Sequence, residues 1–160
     1  MCIRDRLVVE AVEEVIRWHE RRLLPDAVTL CADPRTRLQH GDFFAMAGSA
    51  VGFDPTMPER MFDAILLDVD HTPRHVLHPS HANFYTPAGL RRLARHLRPG
   101  GVFALWSDDP PDPNFRAALD EVFATARAEV VRFPNPITGG ESANTVYIAG
   151  VAGPAASAGQ

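Results

Sequence analysis

The chain has 160 residues, of which 46% are hydrophobic and 22% charged, and a formal net charge of −4. This length suits one domain with a real core, and the composition is that of an ordinary globular protein. The mild acidity argues against a nucleic-acid-binding surface. All 16 basic residues are arginines, which excludes Schiff-base lysine chemistry and a Walker-type phosphate-binding lysine.

The two cysteines, Cys2 and Cys31, have the spacing of neither a metal site nor a disulfide framework. No apolar run is long enough to span a membrane and no signal peptide is visible, so we expect a cytoplasmic protein without a membrane partner. Residues 1–6 match the translation of a transposon-end sequencing adapter, and we expect the chain to begin inside a domain. The domain then covers residues 7–150, and the small residues of 151–160 predict a disordered tail.

Strand and helix signals alternate in the first part of the chain. In order, the predicted elements are a buried strand over 7–10 that ends on the acid Glu10, a helix over 12–24, a strand over 36–40, a short helix over 43–50 and a surface loop over 52–60. Pro25 ends the first of these helices, and Gly41-Asp42 follows the second strand directly.

The run Ala64–Leu67 is apolar at every position and ends in two carboxylates, Asp68 and Asp70. Such a run predicts a strand buried on both faces of a parallel sheet. In open α/β sheets, ligands bind beyond the carboxyl ends of the strands, so both carboxylates are candidate ligand groups. The alternative is that they only cap the following turn.

The remaining pattern continues the alternation and then breaks it. The predicted elements are a loop over 71–84, a helix from Thr86 as N-cap to about 97, a strand over 102–106, a helix over 113–126 capped by Asp112, and strands over 129–133 and 145–149. The last two strands have no helix between them, so they predict an antiparallel pair. The whole pattern predicts an α/β fold with a mostly parallel sheet.

Three motifs together carry a family resemblance: Phe-Asp-Ala-Ile-Leu-Leu-Asp at 62–68, Phe-Tyr-Thr-Pro-Ala-Gly-Leu at 84–90 and Leu-Arg-Pro-Gly-Gly-Val at 97–102. They resemble the Rossmann-like fold of class I S-adenosylmethionine-dependent methyltransferases. Asp33-Pro34-Arg35 with Gly41-Asp42 resembles the spermidine synthase branch, the polyamine aminopropyltransferases. The first strand and glycine-rich loop of that family have no counterpart here, so the resemblance implies an N-terminally truncated member.

The resemblance implies a nucleoside site in the first part of the chain. Glu10 falls on the acid that holds the ribose hydroxyls, and a carboxylate can accept from both. Asp42 falls on the residue that accepts from the adenine amino group, with Phe43 as an apolar wall for the ring. The alternatives are a helix N-cap for Glu10 and an ordinary turn for Gly41-Asp42.

The resemblance also implies that Asp68 takes the proton of an attacking amine and stabilises the sulfonium centre. The family's motif is Asp-x-x-Asp-Pro, and here His71 stands where the second, substrate-holding acid belongs. Asp70 lies one position earlier, so Asp70 and His71 are the candidate residues for the amine substrate. A protonated His71 would repel a cationic polyamine.

The implied cosubstrate is S-adenosylmethionine or decarboxylated S-adenosylmethionine, with no metal, and the partner is a small-molecule amine or another acceptor. The full-length parent can form a homodimer, as the resemblance implies. A competing interpretation is a zinc or iron site formed by four histidines of one loop that contains prolines: His71, His75, His78 and His81. The alternative is that these histidines are solvated. The acidic loop 108–112 either attracts a cation or is a solvated connection.

Two hypotheses therefore stay open. The first is an aminopropyltransferase or methyltransferase in which Asp68 reacts while Glu10 and Asp42 hold the nucleoside, so that these three acids converge on one cleft. The second is a binding module that keeps the nucleoside pocket without chemistry, which the altered Asp-x-x-Asp motif favours. We expect the parent to be a transferase and the truncated chain by itself to be inactive.

Overall fold

The computed structural model describes residues 5–137 and 139–154, which form two compact units divided after Arg60. Residues 1–4 and 155–160, the bulk of the predicted adapter segment and tail, lie outside the described residues. Two residues of the predicted tail, Val151 and Ala152, exchange backbone hydrogen bonds with Gly101 and Gly100. No helix in the described ranges combines the length and the apolar character needed to cross a membrane.

The first unit is built on one parallel strand pair with helices in the connection. Its elements are β1 (Arg6–Glu10), α1 (Glu13–Glu20), α2 (Ala27–Ala32), β2 (Thr36–His40) and α3 (Phe43–Gly48). The strands pair from Arg6 with Thr36 to Glu10 with His40. Both strands were predicted, but β1 is not buried, since Val8 is 38% exposed. The single helix predicted over 12–24 is also wrong in extent: α1 already ends at Glu20, before Pro25, and an unpredicted helix, α2, begins at Ala27.

The loop after α3 departs from its predicted surface position. Phe53 and Asp54 are buried, at 3% and 0% exposure. The Asp54 carboxylate accepts hydrogen bonds from the Thr56 hydroxyl at 2.7 Å and from the Arg60 guanidinium at 3.0 Å, and it pairs with Arg37. The hydrogen bond from Arg37 is the main reason why the pKa of Asp54 lies well below its usual range. The prediction of a surface loop over 52–60 is therefore wrong for 52–54, which are buried, whereas 55–59 are exposed as predicted.

The second unit is a four-stranded mixed sheet. Its elements are β3 (Phe62–Leu67), a 3₁₀ helix (Pro79–Tyr85), α4 (Pro87–Ala94), β4 (Leu97–Ser107), α5 (Pro113–Val122), β5 (Thr125–Pro134) and β6 (Glu141–Gly150). The strand order is β3-β4-β6-β5, with β3 parallel to β4 and with β6 antiparallel to both of its neighbours. The predicted α/β class and the antiparallel C-terminal pair are confirmed. β4 starts five residues earlier than predicted, and α4 ends sooner.

Caps and a close contact fix the helices of this unit. The Thr86 hydroxyl accepts from Gly89 N at 3.2 Å, and the Asp112 carboxylate accepts from Asn114 N at 2.9 Å, so both predicted N-caps are confirmed. Gly89 lies against the 3₁₀ helix so closely that a Cβ would collide with backbone atoms of Asn83 and Phe84. The glycine of the 84–90 motif is therefore required by packing.

One face of the four-stranded sheet carries the core. Phe103 of β4 lies between Phe84 and Phe123, with ring centroids 6.1 Å apart in each case, and Phe115 of α5 meets Tyr147 of β6 edge to face at 4.9 Å. Leucines of α4 and α5 complete this layer at 0% exposure: Leu90, Leu93 and Leu119.

The other face of β3 is open, contrary to the sequence prediction. Ile65 and Leu67 are buried, whereas Ala64 is exposed and Leu66 is 75% exposed. β3 is therefore not buried on both faces. The exposure of Ala64 and Leu66 means that no described element covers this face of β3. Apolar residues at every position do not distinguish the two situations.

β6 pairs with β5 over more residues than it pairs with β4. β6 pairs with β5 from Gly150 to Glu141, but it pairs with β4 only from Gly150 to Thr145. Its outer part is a two-stranded ribbon.

Candidate functional site

The predicted site residues fall into both units. Glu10, Asp42 and Phe43 belong to the first unit, and Asp68, Asp70 and His71 belong to the second. Each group is described within its own unit.

Glu10 and Asp42 lie at the carboxyl end of the β1–β2 pair. Glu10 is the last residue of β1, opposite His40, and Gly41 N donates to the Glu10 carbonyl at 3.0 Å. One carboxylate oxygen of Glu10, Oε1, accepts from Val12 N at 2.8 Å and shapes the turn into α1. The second oxygen, Oε2, makes no hydrogen bond with a described residue. Glu10 therefore stabilises the turn into α1 through one oxygen and leaves the other able to accept a hydrogen bond from a ligand.

Asp42 is the N-cap of α3. Its Oδ1 accepts from Phe44 N at 2.8 Å and from Ala45 N at 3.3 Å, and the side chain is exposed. Phe43 is half-buried, with its ring 5.0 Å from that of Phe53. The alternative for Gly41-Asp42 was an ordinary turn, and the structure shows a helix N-cap instead, with the half-buried ring of Phe43 next to it.

Asp68 follows β3 directly and is exposed. It forms no hydrogen bond or ion pair with any residue in the described ranges. It lines an open hollow of about 230 Å³ together with Leu66, Ala104, Trp106 and Val146. Because Leu67 pairs with Leu105, Asp68 lies next to Trp106 at the carboxyl end of these parallel strands.

Asp70 is the centre of a buried hydrogen-bond network. Its fully buried carboxylate accepts from Leu77 N at 2.7 Å, from the Tyr85 hydroxyl at 2.7 Å and from His81 Nδ1 at 2.9 Å. The proton on Nδ1 is assigned from this contact, since a carboxylate only accepts. Burial, reinforced by Asp70, raises the pKa of Tyr85. The geometry does not support the predicted contact between Asp70 and a substrate, because the carboxylate is buried and occupied; it anchors the loop.

His71 takes the position of the family's second acid and is exposed. Its carbonyl accepts from Asp108 N at 2.9 Å, which joins the loops that follow β3 and β4. Its imidazole forms no hydrogen bond with another described residue. The neighbouring histidines do not form a metal site with it: no three or more His, Cys, Asp or Glu side chains are grouped as ligands among the residues that the structure describes.

The acids of the loop after β4 are all engaged. Asp108 accepts from Asn144 Nδ2 at 3.0 Å, and Asp109 from Arg74 at 2.8 Å. Asp112 caps α5. Asp68 is therefore the carboxylate at this end of the second unit's sheet that accepts no hydrogen bond from a described residue, whereas Asp108 accepts one from a neutral amide.

Trp106 and Tyr85 were not predicted as site residues. Pairing the predicted strands in parallel would have placed Trp106 beside Asp68, because each residue follows its strand's last buried leucine. No local signal points to Tyr85, which reaches Asp70 only through the packing of the 3₁₀ helix.

No protein-family model matches the chain, and no curated protein sequence matches it. Solved structures do match. The spermidine synthase of Thermotoga maritima has a TM-score of 0.60 and 18% identity, over 91% of this chain and 44% of that protein. A spermidine synthase in complex with the transition-state analogue AdoDATO gives the same values. Human methyltransferase-like protein 13 in complex with SAH has a TM-score of 0.53 and 17% identity, over 91% of this chain and 70% of that protein.

These likenesses establish the fold, which is the Rossmann-like α/β fold of class I methyltransferases. Spermidine synthases share that fold with this chain over nearly its whole length. The chain spans less than half the length of the spermidine synthases that it matches.

Proposed function

We propose that this chain is the nucleoside-binding part of a spermidine synthase-like transferase, which moves an aminopropyl group from decarboxylated S-adenosylmethionine to an amine. The observation that carries the proposal is Asp68: an exposed carboxylate without a described partner, at the carboxyl end of a parallel strand of this fold. Ligands of open α/β sheets bind at that end.

The first unit is assigned to the nucleoside. Glu10 offers its second carboxylate oxygen to the ribose hydroxyls, Asp42 offers Oδ2 to the adenine amino group, and Phe43 covers one face of the ring. What supports this is that each carboxylate uses only one of its oxygens in hydrogen bonds with described residues.

The second unit is assigned to the transfer. The amine nitrogen attacks the carbon next to the sulfonium, a C–N bond forms, and the C–S bond breaks with its electron pair going to sulfur. Sulfur becomes a neutral thioether, and Asp68 takes the proton that the nitrogen loses. Before the transfer, the same carboxylate stabilises the sulfonium charge. Asp70 acts as a positioning residue, since it holds the loop that follows Asp68.

Titration calorimetry of the chain with decarboxylated S-adenosylmethionine, S-adenosylmethionine and methylthioadenosine tests the nucleoside site. We expect binding of at least one of them, and a loss of about tenfold in Glu10→Gln and in Asp42→Asn, since each variant removes a charged acceptor. Asn caps helices as well as Asp, so the second variant keeps α3. Glu20→Gln, an exposed acid of α1, serves as the control. Absence of binding for all three compounds contradicts the proposal.

The product then identifies the reaction. Methylthioadenosine is expected for aminopropyl transfer, whereas S-adenosylhomocysteine indicates methyl transfer to the acceptor. In the full-length parent, nucleoside binding without turnover of any amine favours the vestigial binding module, to which the burial of Asp70 and the presence of His71 also point.

A further inference from the structure

The open face of the second unit's sheet is apolar beside Asp68. Leu66 pairs with Ala104 across β3 and β4, and Trp106 pairs with Val146 across β4 and β6. These four side chains line the hollow of about 230 Å³, which is smaller than the roughly 300–1,000 Å³ of pockets for drug-sized ligands. The hollow therefore suits a group of a few heavy atoms.

Asp68 is the only ionisable residue that lines this hollow. Its neighbour Trp106 is half-buried and contributes an indole, the side chain that attracts cations best through its ring face. One carboxylate and one indole, with aliphatic side chains around them, form a site for a single positive charge on an apolar body.

A second positive charge finds no equivalent partner among the described acids nearby. Asp70 is buried beneath its three donors. Asp109 and Glu129 pair with arginines, Asp112 caps α5, and Asp108, which does not line the hollow, accepts from the Asn144 amide. The exposed side chain at the position of the family's second acid is His71, which cannot supply a negative charge.

We propose that the hollow beside Asp68 selects a monoamine with an apolar body and disfavours a linear diamine. The inference rests on the proposed function, because it names the acceptor class of the same carboxylate. The ammonium lies between Asp68 and the indole of Trp106, and the hydrocarbon part contacts Leu66, Ala104 and Val146. Loss of one proton to Asp68 then gives the neutral, nucleophilic amine.

Three probes of equal size test the inference: 3-methylbutylamine, 1,4-diaminobutane and the neutral 3-methylbutan-1-ol. Each is titrated into the ¹⁵N-labelled chain without any nucleoside, and the indole N–H signal of Trp106 is followed. A Trp18→Phe background leaves this as the single indole signal, because the chain has two tryptophans. We expect the monoamine to bind at least about fivefold more tightly than the alcohol, the size of a modest cation–π interaction. We expect a similar preference over the diamine, because its second ammonium would lie against aliphatic side chains.

Asp68→Asn is expected to weaken monoamine binding about fivefold, as for an exposed ion pair. Asp63→Asn, an exposed acid of β3 outside the hollow, is the matched control and should change nothing. Trp106→Leu, followed through the ligand's own NMR signals, should weaken binding about threefold or more. Dispersed amide signals of each variant show that it is folded.

The inference is overturned if the monoamine does not shift the signal, if the diamine binds as tightly, if the alcohol matches the amine, or if Asp63→Asn has the effect of Asp68→Asn. The nucleoside calorimetry is independent of these titrations. If no nucleoside binds in the calorimetry but the monoamine is selected in the titrations, the proposed transferase is refuted. If a nucleoside binds but the monoamine is not selected, only the proposed acceptor class is refuted.

Discussion

Asp70→Asn is the substitution for which the structure makes the sharpest prediction. The carboxylate of Asp70 is fully buried and accepts three hydrogen bonds, from Leu77 N, His81 Nδ1 and Tyr85 Oη. An amide of the same shape keeps one acceptor oxygen, and its NH₂ group faces a donor. The substitution therefore removes the charge, weakens the bonds from Leu77 N and His81 Nδ1, and leaves the proton of the Tyr85 hydroxyl without an acceptor.

The expected cost follows from these contacts. A hydrogen bond to a charged group contributes about 1.5–3 kcal/mol, and a buried polar group left unsatisfied costs about 1–3 kcal/mol. Asp70→Asn should therefore lower the free energy of unfolding by about 3 kcal/mol. Tyr85→Phe removes one of the three bonds and should cost about 1.5 kcal/mol. The double variant should cost less than the sum, since both changes remove the same contact.

Urea unfolding followed by Trp106 fluorescence in a Trp18→Phe background measures these changes in the second unit alone, because Trp18 belongs to the first unit. Asp68→Asn is the matched control: it is the same substitution two residues away, at an exposed carboxylate without a described partner, and it should stay within about 0.5 kcal/mol of the parent. The reasoning is refuted if Asp70→Asn is as stable as Asp68→Asn.

Three further substitutions test other parts of the fold. The pKa of Asp54 is lower in the folded chain than in the unfolded one, so its ionised carboxylate stabilises the fold above the unfolded pKa, and this stabilisation is lost as the pH falls. Asp54→Asn should therefore lower the free energy of unfolding by about 2 kcal/mol at pH 7 and by progressively less below about pH 4. Urea unfolding at several pH values measures this difference. Leu93→Ala, at a wholly buried site, should cost about 3 kcal/mol in the same assay, while Leu66→Ala at 75% exposure should stay within about 0.5 kcal/mol; equal effects would contradict the packing. Gly89→Ala should lower the melting temperature by several degrees although alanine favours helices, because its Cβ meets the backbone of the 3₁₀ helix; a stabilised variant would disprove that contact.

The sequence pattern was sufficient for the strands and helices whose signals are local. The caps Thr86 and Asp112 and the antiparallel pair at the C-terminus depend on short-range chemistry, and they were predicted correctly. The run Ala64–Leu67 was recognised as a strand but not as an edge strand, because edge position depends on which strands pair. The prediction does not include α2, because it interprets Pro25 only as the end of a helix.

The candidate site shows the same division between local and long-range information. Asp68 and Asp42 were placed correctly at strand ends, because Asp68 directly follows β3 and Asp42 follows β2 after the single residue Gly41. The burial of Asp70 could not be read from its neighbours, since it depends on Tyr85 and His81 in a later segment. Asp54 is the corresponding case in the first unit: its arginine partners lie on either side in sequence, and only the fold brings them to one carboxylate.

The two-stranded ribbon at the end of β5 and β6 has a consequence for how this chain tolerates change. Beyond Thr145, toward the turn, no third strand pairs with the described residues of the hairpin, so residues added or lost near the turn, away from Asn144 and its contact with Asp108, leave the pairing of β6 with β4 intact. An affinity tag or a fluorescent label is best inserted in this ribbon. Length differences among homologues in the same place would carry no information about acceptor choice.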